Sequence, residues 1–369
     1  MIKAGRAGLL ALLAGLIAAC GPPPTVTGGA SPSGVPTPSA AAASPTVSPA
    51  PAGRLLALVT LKGSDQLVVR DITDITHPTT VAKLPSLTAP QFINASEISY
   101  IDYEHGTIVR MPLSGSPKTV VAQSGQLAGY VAWSPDGTTV IYTTYNADST
   151  VMQLHQVRAG QDRVLASMPA VPGVGCESVA SCPTDVWDSR LLYSRDGGFI
   201  SFVNSIVKPT FRLWSSDGAI LKSTDSGLES MSVWSGSTLY FRDAHGVEAW
   251  HNGVISPFLP GVAWVRPKAS SDGKHIVYQV RDAQRWSHVY VVDTKSGQVR
   301  DLGRAHAEPA LLTSRYLWYL GERACVAADG CGTRVAGVPN GTTYIYDLTD
   351  KTQSTSVITS VVDVWPHAA

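Results

Sequence analysis

The sequence has few charged residues and no cluster of basic ones. Of its 369 residues 15% are charged, and 28 Lys and Arg balance 28 Asp and Glu, so the formal net charge is zero. No run of Lys or Arg occurs beyond the N-terminus. Because nucleic-acid-binding proteins present a basic patch, this composition argues against that class. The hydrophobic fraction of 44% is high enough for a large buried core.

The sequence also lacks the short motifs of several enzyme classes. It has no Gly-x-Ser-x-Gly nucleophile elbow, no His-Glu-x-x-His zinc motif, no Gly-x4-Gly-Lys-Ser/Thr phosphate loop and no calcium-loop pattern. Its nine histidines are scattered along the chain, as structural or surface histidines are. We therefore expect a protein that is not an enzyme and that needs no cofactor.

The first twenty residues have the pattern of an export signal. Lys3 and Arg6 precede an apolar stretch, residues 9–17, which is too short for a comfortable membrane-spanning helix. The stretch ends in Ile17-Ala18-Ala19-Cys20, which resembles the lipobox of bacterial lipoprotein signal peptides. The resemblance implies that Cys20 receives a diacylglycerol and anchors the mature protein to a bacterial membrane, outside the cytoplasm. The alternative is an ordinary secretory signal in which Cys20 has no role.

Residues 21–53 consist almost entirely of Pro, Ala, Ser, Thr and Gly. They contain nine prolines and no charged side chain. Such a composition cannot form a packed core, so we predict a semi-extended, disordered tether. The folded domain is then expected to span residues 54–369.

From residue 54 onward, short runs of β-branched and aromatic residues alternate with Gly-containing turns, which is typical of an all-β chain. The phrase AWSPDGTTVIY (132–142) recurs as LLYSRDGGFISF (191–202), SVWSGSTLYF (232–241) and KASSDGKHIVY (268–278). Weaker copies are QFINASEISY (91–100) and ALLTSRYLWY (310–319). A spacing of about 40 residues with four strands per repeat predicts the blades of a β-propeller.

The two ends of this region together contain the four strands of one blade. Residues 361–367, VVDVWPH, have the pattern of a first strand, whereas residues 55–61, 66–72 and 79–85 have the pattern of second, third and fourth strands. We therefore predict that the C-terminal strand pairs with the N-terminal one and closes the ring without an open edge. This arrangement gives seven blades, with six or eight as alternatives.

The turns carry a family resemblance. Trp133-Ser134-Pro135-Asp136-Gly137, and less closely the turns at 193–197 and 270–273, resemble the repeat of TolB-type, WD-like β-propellers. In that family the Asp and Gly shape the first hairpin of each blade, so the resemblance implies a structural role for these residues. It also implies a protein-binding platform in the bacterial envelope.

The antiparallel strand order places the longest insertions, residues 169–190 and 321–341, on the rim opposite the first hairpins. Each insertion contains two cysteines: Cys176 and Cys182 in the first, Cys325 and Cys331 in the second. Since an exported chain meets an oxidising environment, we predict two local disulfides that stiffen these loops. Zinc binding is the alternative, although neither pair has metal-ligand spacing or a nearby pair of histidines.

The same rim gathers aromatic and charged residues that are candidates for ligand recognition. They are Tyr103, His105, Tyr145, Trp187, Asp188, Arg190, His245, Trp264, Arg266, Trp286, His306, Glu308 and Asp363. We predict a monomeric, membrane-anchored, non-catalytic platform that binds a protein or a cell-envelope component through this rim.

Two other functions are compatible with the sequence. A lactonase- or cyclase-like propeller enzyme would need several acidic residues and histidines to converge at the channel mouth, from among His105, Asp188, His245, His306, Glu308 and Asp363. A glycan-binding module would need exposed tryptophans, from among Trp187, Trp264 and Trp286.

Overall fold

The computed structural model describes residues 54–61, 66–124, 127–148, 150–169, 190–204, 210–224, 230–329 and 336–365. In these ranges the chain forms seven four-stranded antiparallel sheets, which are the blades of a β-propeller. Besides these strands, the described residues contain one short 3-10 helix, Ala327–Asp329. None of their helices has the length and hydropathy of a membrane span.

Blades 2 to 7 are simple meanders in which the strands follow chain order from the first, innermost strand to the fourth. Blade 2 contains β4 (Thr88–Asn94), β5 (Glu97–Asp102), β6 (Thr107–Pro112) and β7 (Thr119–Gln123). Blade 3 contains β8 (Leu127–Trp133), β9 (Thr139–Tyr145), β10 (Val151–Arg158) and β11 (Gln161–Pro169). Blade 4 contains β12 (Arg190–Tyr193), β13 (Phe199–Asn204), β14 (Thr210–Ser215) and β15 (Ile220–Thr224).

The remaining meanders have the same order. Blade 5 contains β16 (Ser230–Ser235), β17 (Thr238–Arg242), β18 (Gly246–His251) and β19 (Val254–Pro260). Blade 6 contains β20 (Val265–Ala269), β21 (His275–Arg281), β22 (Ser287–Asp293) and β23 (Val299–Arg304). Blade 7 contains β24 (His306–Leu311), β25 (Tyr316–Ala324), β26 (Gly337–Asp347) and β27 (Thr352–Thr355).

Blade 1 joins the two ends of the domain. It contains β1 (Leu56–Thr60), β2 (Leu67–Asp71), β3 (Thr79–Leu84) and, as its first strand, β28 (Asp363–Trp365). The strands β28 and β1 are antiparallel, with Leu56 opposite Trp365, and the backbone N of Val362 donates to the carbonyl of Leu58 (2.8 Å). The predicted closure and the count of seven blades are therefore confirmed.

In blades 3, 4 and 6 the first hairpins are built as the turn motif indicates. In blade 3 the hydroxyl of Ser134 donates to Asp136 (2.5 Å), and Asp136 also accepts from the backbone N of Thr138 (3.1 Å). Gly137 has a φ of +68°, a left-handed conformation that glycine adopts without steric cost. The turns at Ser194 and Ser270 repeat the same Ser-to-Asp bond, at 2.6 and 2.7 Å. The Asp and Gly of the motif thus shape the turn.

The blades pack through apolar faces and are joined by tryptophan hydrogen bonds. The indole N of Trp133 in blade 3 donates to Ser99 of blade 2 (2.7 Å). Trp234 in blade 5 makes the equivalent bond to Ser201 of blade 4 (2.9 Å). Because a buried indole N–H needs an acceptor, these bonds fix the position of each blade relative to its neighbour.

Candidate ligand-binding site at the channel mouth

The first strands of the blades line the central axis, and a cavity of about 360 Å³ lies among them. We call the end of the axis where the first strands begin the mouth rim, and the opposite end the hairpin rim. The cavity lies toward the mouth rim, because its walls include Val265 of β20 and the facing residue Gln279 of β21, both remote from the first hairpin of blade 6. Blades 4, 5, 6, 7 and 1 contribute its lining.

A backbone irregularity recurs in the first strands. In β4, β8, β16, β20 and β24 the pairing register with the second strand shifts near the mouth rim. Each shift contains one residue with positive φ: Ala89, Gly129, Met231, Arg266 and Glu308, between +48° and +87°. A bulge of this kind adds a residue to one strand. At that point the side chains of the strand no longer alternate between the two faces of the sheet.

The bulges bring Arg266 and Glu308 together across two neighbouring blades. Their charged groups form an ion pair, with Nη1 of Arg266 2.6 Å from Oε1 of Glu308, at the wall of the cavity. Their side chains are 39% and 44% exposed. Left-handed backbone at a residue other than glycine costs on the order of 1–3 kcal/mol and is concentrated at functional sites. Both residues that form the pair have this conformation.

A chain of polar contacts fixes the backbone of Glu308. Its backbone N donates to the side chain of Gln279 (3.0 Å), and Gln279 donates in turn to the hydroxyl of Ser287 (2.9 Å). The hydroxyl of Ser287 donates to the carboxylate of Glu322 (2.8 Å). Gln279 and Ser287 are buried, so the bulge in β24 is supported from inside the protein.

Asp363 and Arg190 form two further sides of the cavity. Oδ2 of Asp363 accepts a hydrogen bond from the backbone N of Phe92 (2.7 Å), which ties the closing strand β28 to blade 2. The guanidinium of Arg190 donates to the carbonyl of Pro267 (2.9 Å) in blade 6. Arg190, Arg266, Glu308 and Asp363, which the sequence predicts on one rim, therefore share one cavity.

Tyr103, which follows β5 of blade 2, and Tyr145, the last residue of β9 in blade 3, lie outside the lining of this cavity. Tyr103 is 54% exposed, and its hydroxyl lies 2.7 Å from the point that a Cβ of Gly129 would occupy, so it packs on the bulge of β8. Burial, and secondarily the neighbouring Tyr130, raise the pKa of both Tyr103 and Tyr145. The tyrosines form an aromatic part of the rim between blades 2 and 3.

The prediction that Trp264 is available for binding is wrong. Its side chain is fully buried, and its indole N donates to the carbonyl of Met231 (2.9 Å) in the neighbouring blade. Trp286 is half-buried, and the guanidinium of Arg304 lies 5.2 Å from the centre of its ring. Trp264 therefore stabilises the contact between blades 5 and 6, and the two tryptophans do not form an exposed pair for a glycan.

The three candidate histidines of the rim are dispersed. His105 is exposed and bonded to Asp102 (2.8 Å), and this hydrogen bond raises the pKa of His105. His245 is exposed in the turn between β17 and β18. His306 is half-buried against Tyr319 and Tyr344, and burial lowers its pKa. Within the described ranges, none of these histidines joins Glu308 and Asp363 at the cavity.

The other predicted site residues cannot be placed. Cys20, Cys176, Cys182, Trp187, Asp188 and Cys331 lie outside the described residues. Cys325 is disulfide-bonded, but its pairing with Cys331 stays a prediction. No group of three or more His, Cys, Asp or Glu side chains that fits a metal ion occurs among the residues placed by the structure.

Several residues of the cavity were not singled out from the sequence. They include Met231, Gln279 and Ser360. These residues could not be predicted because the register shifts at the bulges. Alternation along the sequence therefore does not indicate which side chains of the first strands face the axis.

A second cavity of about 430 Å³ lies on the outer surface of blades 4 and 5, beside Leu221, Trp250 and Ile255.

Comparison with known proteins gives no family assignment by sequence. No protein-family profile matches the chain, and no curated protein matches it either. Solved structures do match, and their common feature is the β-propeller.

TolB from Acinetobacter baumannii is 17% identical and has a TM-score of 0.47; the match covers 84% of this chain but 65% of TolB. An oligogalacturonate lyase from Vibrio parahaemolyticus is 10% identical with a TM-score of 0.51, and the match covers 82% and 85% of the two chains. The β-propeller domain of the Trilobed protease from Pyrococcus furiosus is 13% identical with a TM-score of 0.48, covering 73% and 84%. At such identities the likeness is one of fold.

Proposed function

We propose that the protein is a non-catalytic binding platform that is held at a bacterial membrane, outside the cytoplasm, by a lipid on Cys20. The protein is a monomer, and its propeller binds the ligand, a protein or a cell-envelope component, at the mouth rim. The observation that carries the proposal is the cavity among the first strands, where the bulges bring Arg266 and Glu308 together.

The size of the cavity suits a binding role. Ligand pockets in proteins commonly have volumes of ~300–1,000 Å³. At about 360 Å³ this cavity accepts a short segment of a ligand, while the surrounding rim is available for the rest. The tyrosines of blades 2 and 3 supply the kind of aromatic surface that is enriched in protein interfaces.

The N-terminal region fits the same role. A tether of residues 21–53 at ~3.1 Å per residue reaches at most on the order of 100 Å from a lipid on Cys20. A platform on such a tether can search the space near the membrane surface for a ligand.

Photocrosslinking in intact cells tests this function. A photoreactive amino acid at Lys268, in the cavity, is compared with one at Lys274, which is exposed on the hairpin rim. The proposal predicts a discrete adduct from position 268 and none from position 274. Absence of an adduct at 268, or identical adducts from both positions, would contradict it.

A further inference from the structure

The insertion of blade 7 lies against the mouth-rim loop of blade 6. Its described residues are 321–329 and 336–341, and they prolong the hairpin of β25 and β26 at the mouth rim. The backbone N of Ala336 donates to the carbonyl of Arg285 (3.3 Å), which lies in the loop between β21 and β22. The insertion therefore contacts blade 6 at the rim that contains the cavity.

The base of the insertion is held together by its own contacts. Cys325 is disulfide-bonded, and its backbone N donates to the carbonyl of Ala336 (2.8 Å). The guanidinium of Arg323 donates two hydrogen bonds to the carboxylate of Asp329, each 2.7 Å long, and this pairing lowers the pKa of Asp329 to about 2. Because such two-fold pairs restrict both side chains, the base of the insertion is a preorganised unit.

Glu322 is the side chain through which the insertion reaches the interior of blade 6. Its Oε1 accepts a hydrogen bond from the hydroxyl of Ser287 (2.8 Å), and its Oε2 accepts one from the backbone N of Ser287 (3.1 Å). A Cβ on Gly337 would lie 2.6 Å from Oε2 of Glu322 and 2.9 Å from the ring of Trp286. Glycine at position 337 therefore leaves the room that the carboxylate occupies.

The carboxylate of Glu322 sets the direction of the hydrogen bonds that lead to the cavity. An ionised carboxylate only accepts, so the single hydroxyl proton of Ser287 is donated to Glu322. The amide NH2 of Gln279 then donates to the hydroxyl oxygen of Ser287, and its amide oxygen faces the backbone N of Glu308. Gln279 and Glu308 line the cavity, whereas Glu322 does not. A residue outside the cavity therefore orients a residue of its wall.

We infer that Glu322 is a positioning residue for Glu308 and couples the insertion of blade 7 to the shape of the cavity. Glu308 is paired with Arg266, so a change at the bulge of β24 also changes the ion pair at the cavity wall. The consequence for a ligand rests on the proposed function, because it concerns the same cavity. The coupling itself is measured without a ligand.

Amide hydrogen exchange of the full chain, resolved to single residues, tests the coupling. The backbone N–H of Glu308 is the donor at the cavity end of the series, so its exchange rate reports on Gln279. Glu322→Ala leaves the proton of Ser287 free to rotate, and the amide of Gln279 loses its fixed orientation. We expect exchange at Glu308 to become about five- to tenfold faster, the effect of losing one hydrogen bond.

Glu322→Gln separates the hydrogen-bonding role from a steric one. Glutamine has nearly the shape of glutamate, but its NH2 group donates to the hydroxyl of Ser287 and reverses the direction of the series. Gln279 would then turn its NH2 group toward the backbone N–H of Glu308, where two donors face each other. We therefore expect Glu322→Gln to accelerate exchange at Glu308 as much as Glu322→Ala does.

A third variant displaces the carboxylate without removing it. Gly337 has no positive φ, so Gly337→Ala adds only a methyl group, which collides with Glu322 and Trp286. We expect it to accelerate exchange at Glu308 to a similar extent. Gly198→Ala is the matched control, because Gly198 also has no positive φ and its Cβ would meet no atom closer than 3.4 Å. This control should leave exchange at Glu308 unchanged.

Glu104→Ala controls for the loss of a negative charge, because Glu104 is an exposed glutamate that follows β5 in blade 2. Urea midpoints show whether each variant is folded. A role of Glu322 in stability alone would accelerate exchange by one common factor in the strands of all blades. The coupling predicts an acceleration at Glu308 that exceeds the one in blades 2 and 3.

Three results would overturn the inference. One is unchanged exchange at Glu308 in folded Glu322→Ala and Gly337→Ala, and another is an equal acceleration in Glu104→Ala. The third is parent-like exchange in Glu322→Gln, which would reduce the role of Glu322 to its volume.

The two proposals fail separately. If exchange at Glu308 responds to Glu322 but the parent protein gives no adduct from position 268 in cells, the coupling stands and the platform is rejected. If position 268 gives an adduct but exchange at Glu308 does not respond to Glu322, the platform stands and the coupling is rejected.

Discussion

Arg266 and Glu308 occupy the same position in neighbouring blades, three residues before the end of β20 and β24, and pair across the gap between the blades. Both have positive φ, at +51° and +54°. The bulges that set this geometry recur in five first strands, so they are a regular feature of this propeller. In blades 6 and 7 they place opposite charges at the wall of a cavity.

The strain at Glu308 can be measured by comparing two substitutions. Glu308→Gln and Glu308→Gly both remove the ion pair, but glycine adopts positive φ without steric cost. We therefore expect Glu308→Gly to be more stable than Glu308→Gln by about 1 kcal/mol, because relief of ~1–3 kcal/mol of left-handed strain is partly offset by the ~0.5–1 kcal/mol of backbone entropy that glycine loses on folding. Urea denaturation gives the comparison. If Glu308→Gly is clearly the less stable variant, the left-handed conformation is not strained in the folded protein.

The closure of the ring depends partly on one carboxylate. Asp363 accepts the backbone N–H of Phe92, and a hydrogen bond to a charged group contributes about 1.5–3 kcal/mol. Asp363→Ala should lower the free energy of unfolding by about 2 kcal/mol, whereas Asp363→Asn keeps an acceptor and should lose less. Urea unfolding curves test this order. Equal losses for the two variants would show that this bond does not stabilise the closure.

The turn motif is expected to affect stability rather than binding. Burial alone would raise the pKa of Asp136, but hydrogen bonds from Ser134 and Thr138 outweigh it, and the net shift is downward. Asp136→Ala should therefore cost about 1–2 kcal/mol of unfolding free energy. The adduct obtained by crosslinking from position 268 should be unchanged in the folded variant. Loss of that adduct without loss of stability would mean that the hairpin rim contacts the ligand.

Two histidines are expected to give opposite dependences of stability on pH. Burial lowers the pKa of His306 in the folded protein. His306 therefore reduces the free energy of unfolding as pH falls below its unfolded-state pKa of about 6.5. The bond to Asp102 raises the pKa of His105, so its favourable contribution is complete below about 6.5 and is lost as pH rises through the folded value.

Urea midpoints between pH 5 and 8 test both assignments. Relative to the parent protein, His306→Phe should gain stability at the acidic end of the range. His105→Gln should lose stability there. The same trend in both variants would contradict the assigned directions.

The membrane anchor is tested by Cys20→Ala. If the lipid on Cys20 holds the protein, the variant should leave the membrane fraction while its propeller stays folded. Fractionation with circular dichroism of the released protein measures both properties. Retention of the folded variant in the membrane fraction would contradict the anchor.

The sequence predicted the propeller well because its evidence is local and repeated. In blades 3, 4 and 6 the first hairpin contains a turn whose Ser and Asp bond within two residues, and the runs on either side of the turns are rich in β-branched and aromatic residues. The closure could also be predicted, because residues 361–367 have the pattern of a first strand, which the N-terminal blade beginning at residues 55–61 lacks. The blade count followed from these two observations.

The candidate site was predicted only in part. Four of the predicted rim residues, Arg190, Arg266, Glu308 and Asp363, line the cavity, because each lies where a first strand begins. The burial of Trp264 could not be predicted, since it depends on a contact with Met231 of the neighbouring blade. The bulges have no sequence marker either: four of the five left-handed residues are Ala, Met, Arg and Glu rather than Gly.

The central claim is that the cavity among the first strands is the place where the ligand binds. Photocrosslinking of the full chain in intact cells, from Lys268 in this cavity and from the exposed Leu221 beside the second cavity on the outer surface, tests it most directly. The account predicts a discrete adduct from position 268 and none from position 221. A discrete adduct from position 221 and none from position 268 would contradict the account.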